Sequence, residues 1–426
     1  MIGSRLSFLV GSLKERLWVQ PLGYALFAVA AIFAAGLADN FAAAVYVPQI
    51  TAETNEKLLT VISASMLVVA TFAVASMVSA YASAGASATP RAFALVITDS
   101  VSQTALSSFI GAFIFSIVGI IAVKTGYYGS GGRFVIFLLT LAIFVWVVLT
   151  FVRWVDNIAR LGRLGNTIEK AERATTEAFR KWPQPQSRGG VLDGIDPAGG
   201  RKVFASEHGY IQHIDIEMLQ DWAEQKGARV QVLSRTGAFV TPRRALLTVD
   251  MSAVPPDEDQ PDFDSLAEAF VIAETRTFSD DPRFGLIVLS EIASRALSPA
   301  VNDPGTAIDI INRLGRILLA WDAEARSAEP LPDPRADRVD VPPLVADDLF
   351  EDAFAPIARD GAGMVEVGIR LQKTLGLLAQ ADGSAVREAA IRQASLARQR
   401  AEETLTFAHD LDRLRRAADQ LPGAVS

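Results

Sequence analysis

Residues 134–152 read FVIFLLTLAIFVWVVLTFV, a stretch without a single Asp, Glu, Lys or Arg. A helix needs roughly 20 predominantly apolar residues to cross about 30 Å of hydrocarbon. Three other uncharged stretches reach this length, at residues 17–38, 58–90 and 100–123. The sequence therefore predicts four membrane-spanning helices that form a transmembrane domain over residues 17–153, with the lipid bilayer as its surroundings.

Charge and composition separate this region from the rest of the chain. The 426 residues are 50% hydrophobic and carry a formal net charge of -8, and residues 1–152 hold few of the charged side chains. The acidic balance argues against a nucleic-acid partner. The chain has no Cys, which excludes disulfides, thiolate metal sites and cysteine nucleophiles, and it has only three His. No metal and no cofactor are expected.

The orientation of the spans follows from the Lys and Arg residues near their ends. Nine lie on the side that holds the N-terminus and three on the opposite side. The nine are Arg5, Lys14, Arg16, Arg91, Arg153, Arg160, Arg163, Lys170 and Arg173, and the three are Lys57, Lys124 and Arg133. Because such residues are enriched on the cytoplasmic side, we expect a multi-pass protein of the inner (plasma) membrane with both termini in the cytoplasm.

The second span is rich in serine and unusually long. Its 33 uncharged residues would extend about 50 Å as a straight helix. At 100° per residue one stripe of this helix carries the pore-lining candidates Ser65, Val69, Phe72, Ser76, Ser79, Ser83 and Ser87. Small and hydroxylated residues suit close helix packing. In a homo-oligomer the same stripe would instead line a hydrated path, with Val69 or Phe72 as an apolar constriction.

The rest of the chain predicts a cytoplasmic α+β domain, mostly helical with a small β module. The fold class is therefore a membrane α-helical half of four spans plus this domain. The expected segments are a cytoplasmic stretch at 1–16, an amphipathic connecting helix at 154–182, a β-containing module at 201–250 and a helical domain at 264–421. A Pro- and Gly-rich linker, residues 183–200, precedes the module. Within the helical domain, single helices are predicted at 265–275 and 385–421. In the transmembrane domain, the GSGG stretch at 129–132 is predicted to be a flexible turn between two spans.

One motif outside the spans is distinctive. Residues 276–307 read RTFSDDPRFGLIVLSEIASRALSPAVNDPGTA, and shorter motifs are GYIQHID at 209–215, GAFV at 237–240 and FEDAFAPI at 350–357. Together they resemble a family of bacterial membrane proteins described as predicted membrane protein, the domain of unknown function numbered twenty-two fifty-four. The resemblance runs over nearly the whole chain. It implies the membrane architecture above and brings no established activity with it.

The long motif also carries the candidate contact residues. Asp281 before Pro282 is typical of a helix N-cap, and Asn302 and Asp303 before Pro304 predict the cap of the next helix. The residues Arg276, Asp281, Arg295, Asn302 and Asp303 are also candidates to converge on a ligand or a subunit contact. No nucleotide-binding, metalloprotease, hydrolase or kinase motif is present in the sequence. The chain is therefore not expected to be an enzyme.

Three functions remain in competition. The first is a homo-oligomeric channel or pore for ions or small solutes, lined by the second span. The second is a non-conducting membrane sensor or scaffold whose cytoplasmic domain binds a ligand or protein. The third is an enzyme with an unrecognised site that uses Arg276, Asp281 and Asp303; this hypothesis predicts a concave pocket around Asp281 and Asp303. The sequence favours the pore.

Overall fold

The computed structural model describes residues 18–37, 39, 48–87, 89–97, 99–161, 163–182, 200–251, 263–327 and 337–419. The predicted stretch 1–16 and residues 183–199 of the predicted linker lie outside these ranges. The chain forms two compact units, one ending at Thr167 and the other beginning at Ile168. We call them the spanning unit and the C-terminal unit.

The spanning unit is built from four long helices and one short one. They are α1 Val19–Leu37, α2 Ala52–Ser87, the short α3 Phe93–Ile97, α4 Ser100–Lys124 and α5 Ser130–Leu161. By length and composition, all four long helices are able to cross a membrane. The four predicted spans are therefore confirmed. Helix α4 is the most enclosed, because α1, α2 and α5 all pack against it and Phe109 and Phe115 are fully buried.

Helices α2 and α5 begin before the uncharged stretches that predict them. Helix α2 begins six residues before Leu58 and is 36 residues long, about 54 Å. Its first turns hold Glu53, which pairs with Lys57 at 2.6 Å, and Glu56, which pairs with Lys124 of α4 at 2.9 Å. A helix continues past the hydrocarbon wherever its polar residues find partners or water. Hydropathy alone therefore does not mark the ends of these helices.

The predicted flexible turn at 129–132 is wrong, because α5 already begins at Ser130. The backbone N–H groups of Gly129 and Gly132 each donate to the carboxylate of Asp39, both at 2.8 Å. A Cβ at Gly132 would lie 2.8 Å from that carboxylate. The glycines thus let an acidic side chain reach the positive end of a helix, a favourable electrostatic arrangement.

The C-terminal unit contains two small sheets. The strands are β1 Arg201–Phe204, β2 Gly209–Ile214, β3 Arg229–Val232, β4 Phe239–Val240, β5 Ala245–Asp250, β6 Phe270–Ala273 and β7 Val339–Asp340. One sheet has the order β1-β5-β3-β7 and the other the order β4-β2-β6. Helix α7, Ile216–Lys226, lies between β2 and β3 in the chain, capped by Asp215 and by Gly227 at φ 62°. One apolar core joins strands of both sheets.

The remaining helices of this unit form its second part. They are α8 Pro282–Ala296, α9 Pro304–Ser327, α10 Ala346–Asp360, α11 Val365–Leu378, α12 Ser384–Thr404 and α13 Ala408–Ala418. Helix α8 packs on α9 and α10, and α11 packs on α9, α12 and α13. Helix α6, Leu164–Lys181, brings Glu172 to Arg313 and Arg316 of α9.

Three predicted helices differ from the structure. Residues 265–275 do not form an α-helix, because a 3-10 turn, Asp264–Ala269, leads into β6, which pairs antiparallel with β2. Residues 385–421 are not one helix, because the chain is extended at Leu405 and Phe407 between α12 and α13. The connecting stretch 154–182 is divided between the end of α5 and α6. In the first case, long-range strand pairing outweighs local helix propensity.

Candidate functional site

The predicted pore-lining stripe of α2 lies largely on the outside of the helical bundle. Ser65, Ser79 and Ser83 are exposed, and Phe72 is 61% exposed. Val69 and Ser76 are half-buried. Ser87 is the last residue of α2, and its side chain lies outside what the structure describes.

A different face of α2 makes the contacts with α4. Leu59, Ala73 and Met77 are buried on it, where α2 packs against α4. These positions lie roughly 80–120° around the helix from Ser65 and Ser83. The serine stripe is therefore not the face through which α2 packs on α4.

The stripe borders a shallow groove beside α5. The phenyl ring of Phe72 meets the buried indole of Trp154 edge-on, with ring centroids 6.3 Å apart. One turn further along α2 begins a groove of about 510 Å³, lined by Ala75, Ser76, Ser79, Ala80, Ser83, Ile158, Ala159 and Arg163. Hydroxyl groups and one guanidinium thus face a common open space at this end of the bundle.

In the C-terminal unit, Arg276 and Asp281 form a buried ion pair. The Nε and Nη2 groups of Arg276 donate to the two carboxylate oxygens at 2.7 and 3.0 Å. Asp281 also accepts from the backbone N–H of Phe284 at 3.1 Å, as the predicted N-cap of α8. The side chain of Asp281 is 2% exposed, and the guanidinium lies over the Phe284 ring. This arrangement fixes both the start of α8 and the direction of Arg276.

The other candidate contact residues lie at the opposite end of α8. Its 15 residues separate Asp281 from Arg295, Asn302 and Asp303 by roughly 20 Å. Asp303 accepts from the backbone N–H of Thr306 at 3.0 Å and from its hydroxyl at 2.6 Å, the predicted cap of α9. These bonds lower the pKa of Asp303. The five residues therefore do not converge on one site, and the pocket expected for an enzyme around Asp281 and Asp303 does not contain Asp303.

The adjacent carboxylates Asp280 and Asp281 have different partners. The carboxylate of Asp280 lies 2.6 Å from Nδ1 of His213, whereas Asp281 faces Arg276. Within the described ranges, no three His, Asp or Glu side chains cluster as metal ligands would.

A cavity rich in arginine lies beside Asp281. It has a volume of about 340 Å³ and is lined by Arg235, Arg244, Arg276, Arg283 and Asp281, together with Trp182, Leu233, Thr236, Gly237, Ala238, Pro282 and Leu344. Arg283 donates to Asp348 and Asp352, both at 2.7 Å. Burial alone would lower the pKa of Arg283, but the bond and the charge of Asp352 outweigh it and raise the pKa. Of these arginines, the sequence singled out only Arg276.

The arginines come from separate segments of the chain. Arg235 precedes β4, Arg244 follows it, and Arg276 and Arg283 flank the start of α8. These four side chains come close together because β2 pairs with both β4 and β6. Because β6 is a strand that the sequence did not predict, no signal in the sequence alone would have brought these residues together.

The family described as "Predicted membrane protein (DUF2254)" matches residues 14–376. The chain belongs to this family. The match covers the four spans, both sheets and the arginine-lined cavity, so the DUF2254 region includes both the stripe and the cavity. The description states a membrane protein and names no activity.

Three relatives from mycobacteria are similar over part of the chain. The uncharacterized proteins MT1328 and Rv1290c of two strains of Mycobacterium tuberculosis, and Mb1321c of Mycobacterium bovis, are each 32% identical over 122 residues. The aligned part is 28% of this DUF2254 chain and 23% of each relative. The matched part of the chain thus spans about a quarter of their length. No solved structure matches.

Proposed function

We propose that this membrane protein is a homo-oligomeric pore for ions or small solutes, with α2 of each protomer facing a central path. The observation that supports it is the exposure of the serine stripe on the outside of the bundle. Ser65 and Ser79 gain little from contact with lipid tails, because hydrocarbon offers a hydroxyl no hydrogen-bond partner. A hydrated axis between protomers would provide such partners.

The packing of the protomer supports placing the path between chains. Helix α4 occupies the middle of the bundle, where the large rings of Phe109 and Phe115 are fully buried. By contrast, the exposed face of α5 carries large apolar residues, including Leu141, Phe144 and Val148, which suit contact with lipid. The stripe of α2 therefore differs in chemistry from the face of α5 that is equally exposed.

The proposal includes an orientation. The nine-to-three excess of Lys and Arg favours an orientation in the inner membrane in which both termini and the C-terminal unit are cytoplasmic. The groove with Ser79, Ser83 and Arg163 then lies towards the cytoplasmic end of the path. The ring of Phe72, which contacts the ring of Trp154, would narrow that path.

A non-conducting sensor or scaffold is the alternative. The arginine-lined cavity of the C-terminal unit favours it, because converging arginines are typical of a site for an anionic ligand. In that case the spans anchor the protein, and the serine stripe serves contacts between chains only.

Flux through purified protein in liposomes tests the pore. We expect solute or ion flux from the wild-type protein and a strong loss of flux in Ser79→Leu, because a larger apolar group would fill and dry the path. Thr71→Leu is the matched control, since Thr71 is also exposed on α2 but lies about 80° around the helix. Equal flux in wild type and Ser79→Leu would contradict the proposal. A silent, folded oligomer would favour the sensor.

A further inference from the structure

The arginine-lined cavity carries a surplus of positive charge. Four guanidinium groups line it, and three carboxylates pair with them: Asp281 in the lining, and Asp348 and Asp352 beside it. All four arginines belong to the C-terminal unit; the side chains of Arg235, Arg276 and Arg283 are between 20% and 31% exposed, whereas Arg244 is exposed at the mouth of the cavity. Charges in such partly enclosed places are screened less by water and salt than charges on an open surface. Four like charges at one cavity repel one another unless anions balance them.

Two of the four arginines are already balanced. Arg276 is held by both oxygens of Asp281, and Arg283 is held by Asp348 and Asp352. These bonds keep the two side chains in fixed positions at the wall of the cavity. An arginine has five N–H donors, so each retains N–H groups beyond those bonds.

The other two arginines are less engaged. Arg244 donates to the carbonyl of Phe239 at 3.2 Å and forms no ion pair with any residue in the described ranges. Arg235 donates to the carbonyl of Pro343 at 2.8 Å and forms a longer ion pair with Asp348, at 3.6 Å. Asp348 is shared with Arg283. Four arginines therefore face three carboxylates, and the one uncompensated positive charge lies with Arg244.

The turn at Gly237 keeps the cavity open. Gly237 has a φ of 79°, and a Cβ there would lie 2.1 Å from Asp281 and 2.8 Å from Arg276. Only glycine allows the turn before strand β4 to pass this close to the ion pair of Arg276 and Asp281. The first turn of α8 begins at the same place, and the positive end of a helix dipole adds to the attraction for anions.

We propose that this cavity binds a small phosphorylated molecule. Planar guanidinium groups match phosphate oxygens in pairs, and several fixed donors around one anion are the usual arrangement of such sites. The volume of about 340 Å³ lies at the lower end of the range for small-ligand pockets, roughly 300–1,000 Å³. Arg235 and Arg244 make the charge contacts, and Arg276 and Arg283 shape the wall. The phosphate belongs either to a soluble metabolite or to a lipid headgroup.

Calorimetry on the full-length protein in detergent tests this site. The probes are pyrophosphate and ADP for a soluble ligand and glycerol 1-phosphate for a headgroup. We expect at least one probe to bind. Whether a soluble probe or the headgroup probe binds more tightly identifies the source of the phosphate. Arg244→Gln should lower the affinity for that probe by roughly tenfold to a hundredfold, which is the effect of losing one charge-assisted hydrogen bond. Arg235→Gln should lower the affinity by a similar factor, and it replaces Arg244→Gln in the test if that variant does not fold.

The matched control is Arg243→Gln. Arg243 is the neighbour of Arg244 in the same turn and is exposed like it, but it does not line the cavity, so its loss should leave binding unchanged. The proposal is overturned if folded wild-type protein binds none of the three probes. It is equally overturned if Arg243→Gln weakens binding as much as Arg244→Gln. Binding is measured without flux, so the result does not depend on whether the chain conducts.

Discussion

Replacing Asp281 by Ala should destabilise the C-terminal unit far more than replacing Asp303 by Ala. Both carboxylates cap a helix, Asp281 at the start of α8 and Asp303 at the start of α9. Only Asp281 also neutralises a partly buried arginine, Arg276. The pair of variants thus separates the loss of a helix cap from the loss of an ion pair.

The magnitudes follow from these contacts. Loss of an N-cap costs about 0.5–2 kcal/mol, typically about 1 kcal/mol. Removal of one partner from a buried ion pair costs about 3–5 kcal/mol, because the other charge remains uncompensated. The Arg276 side chain is 20% exposed, so water relieves part of that cost. We therefore expect about 3 kcal/mol for Asp281→Ala and about 1 kcal/mol for Asp303→Ala.

Hydrogen exchange measured by mass spectrometry on the full-length protein is a suitable assay, because peptides from α8 and α9 are analysed separately from the spans. A factor of ten in protection corresponds to about 1.4 kcal/mol. Amides of α8 should thus lose about a hundredfold in protection in Asp281→Ala, and amides of α9 about fivefold in Asp303→Ala. Similar losses in the two variants would refute the reasoning, since the ion pair would then add nothing.

Two further predictions concern pH and the spanning unit. The folded pKa of Asp303 is lowered, so its carboxylate contributes stability that is present above the unfolded pKa and lost as the pH falls through the folded pKa. The thermal midpoint of Asp303→Asn should therefore lie below that of wild type at neutral pH and approach it in acid, and a constant difference would contradict this. Gly132→Ala places a Cβ 2.8 Å from the Asp39 carboxylate and should cost about 1–3 kcal/mol, seen as a lower thermal midpoint. Gly165→Ala, which meets no atom within 4 Å, is the control and should not lower the midpoint, because Ala favours the helix that contains this position.

The parts of the fold that the sequence predicts are those that local chemistry determines. Helix α7 has local signals at both ends, since Asp215 caps it and Gly227 adopts a positive φ after it. Helix α8 begins as expected because Asp281 and Pro282 fix its first turn. The four spans follow from uncharged length alone. In each case the deciding residues lie within a few positions of the element.

The parts that the sequence misses depend on distant contacts. Strand β6 forms because Phe270 and its neighbours pair with β2, more than 50 residues earlier. The break between α12 and α13 at Leu405 and Phe407 carries neither Gly nor Pro as a signal. The arginine-lined cavity needs both the β4 turn and the start of α8 in place, so no single stretch of sequence reveals it.

The absence of Cys from the sequence allows the most direct measurement on the proposed pore. A single Ser79→Cys substitution introduces the only thiol, and a charged, membrane-impermeant thiol reagent is then added during flux through liposomes. The proposal predicts that the reagent blocks flux through Ser79→Cys and leaves Thr71→Cys unaffected, because only position 79 faces the aqueous path. Flux that persists after complete modification of Cys at position 79 would contradict it.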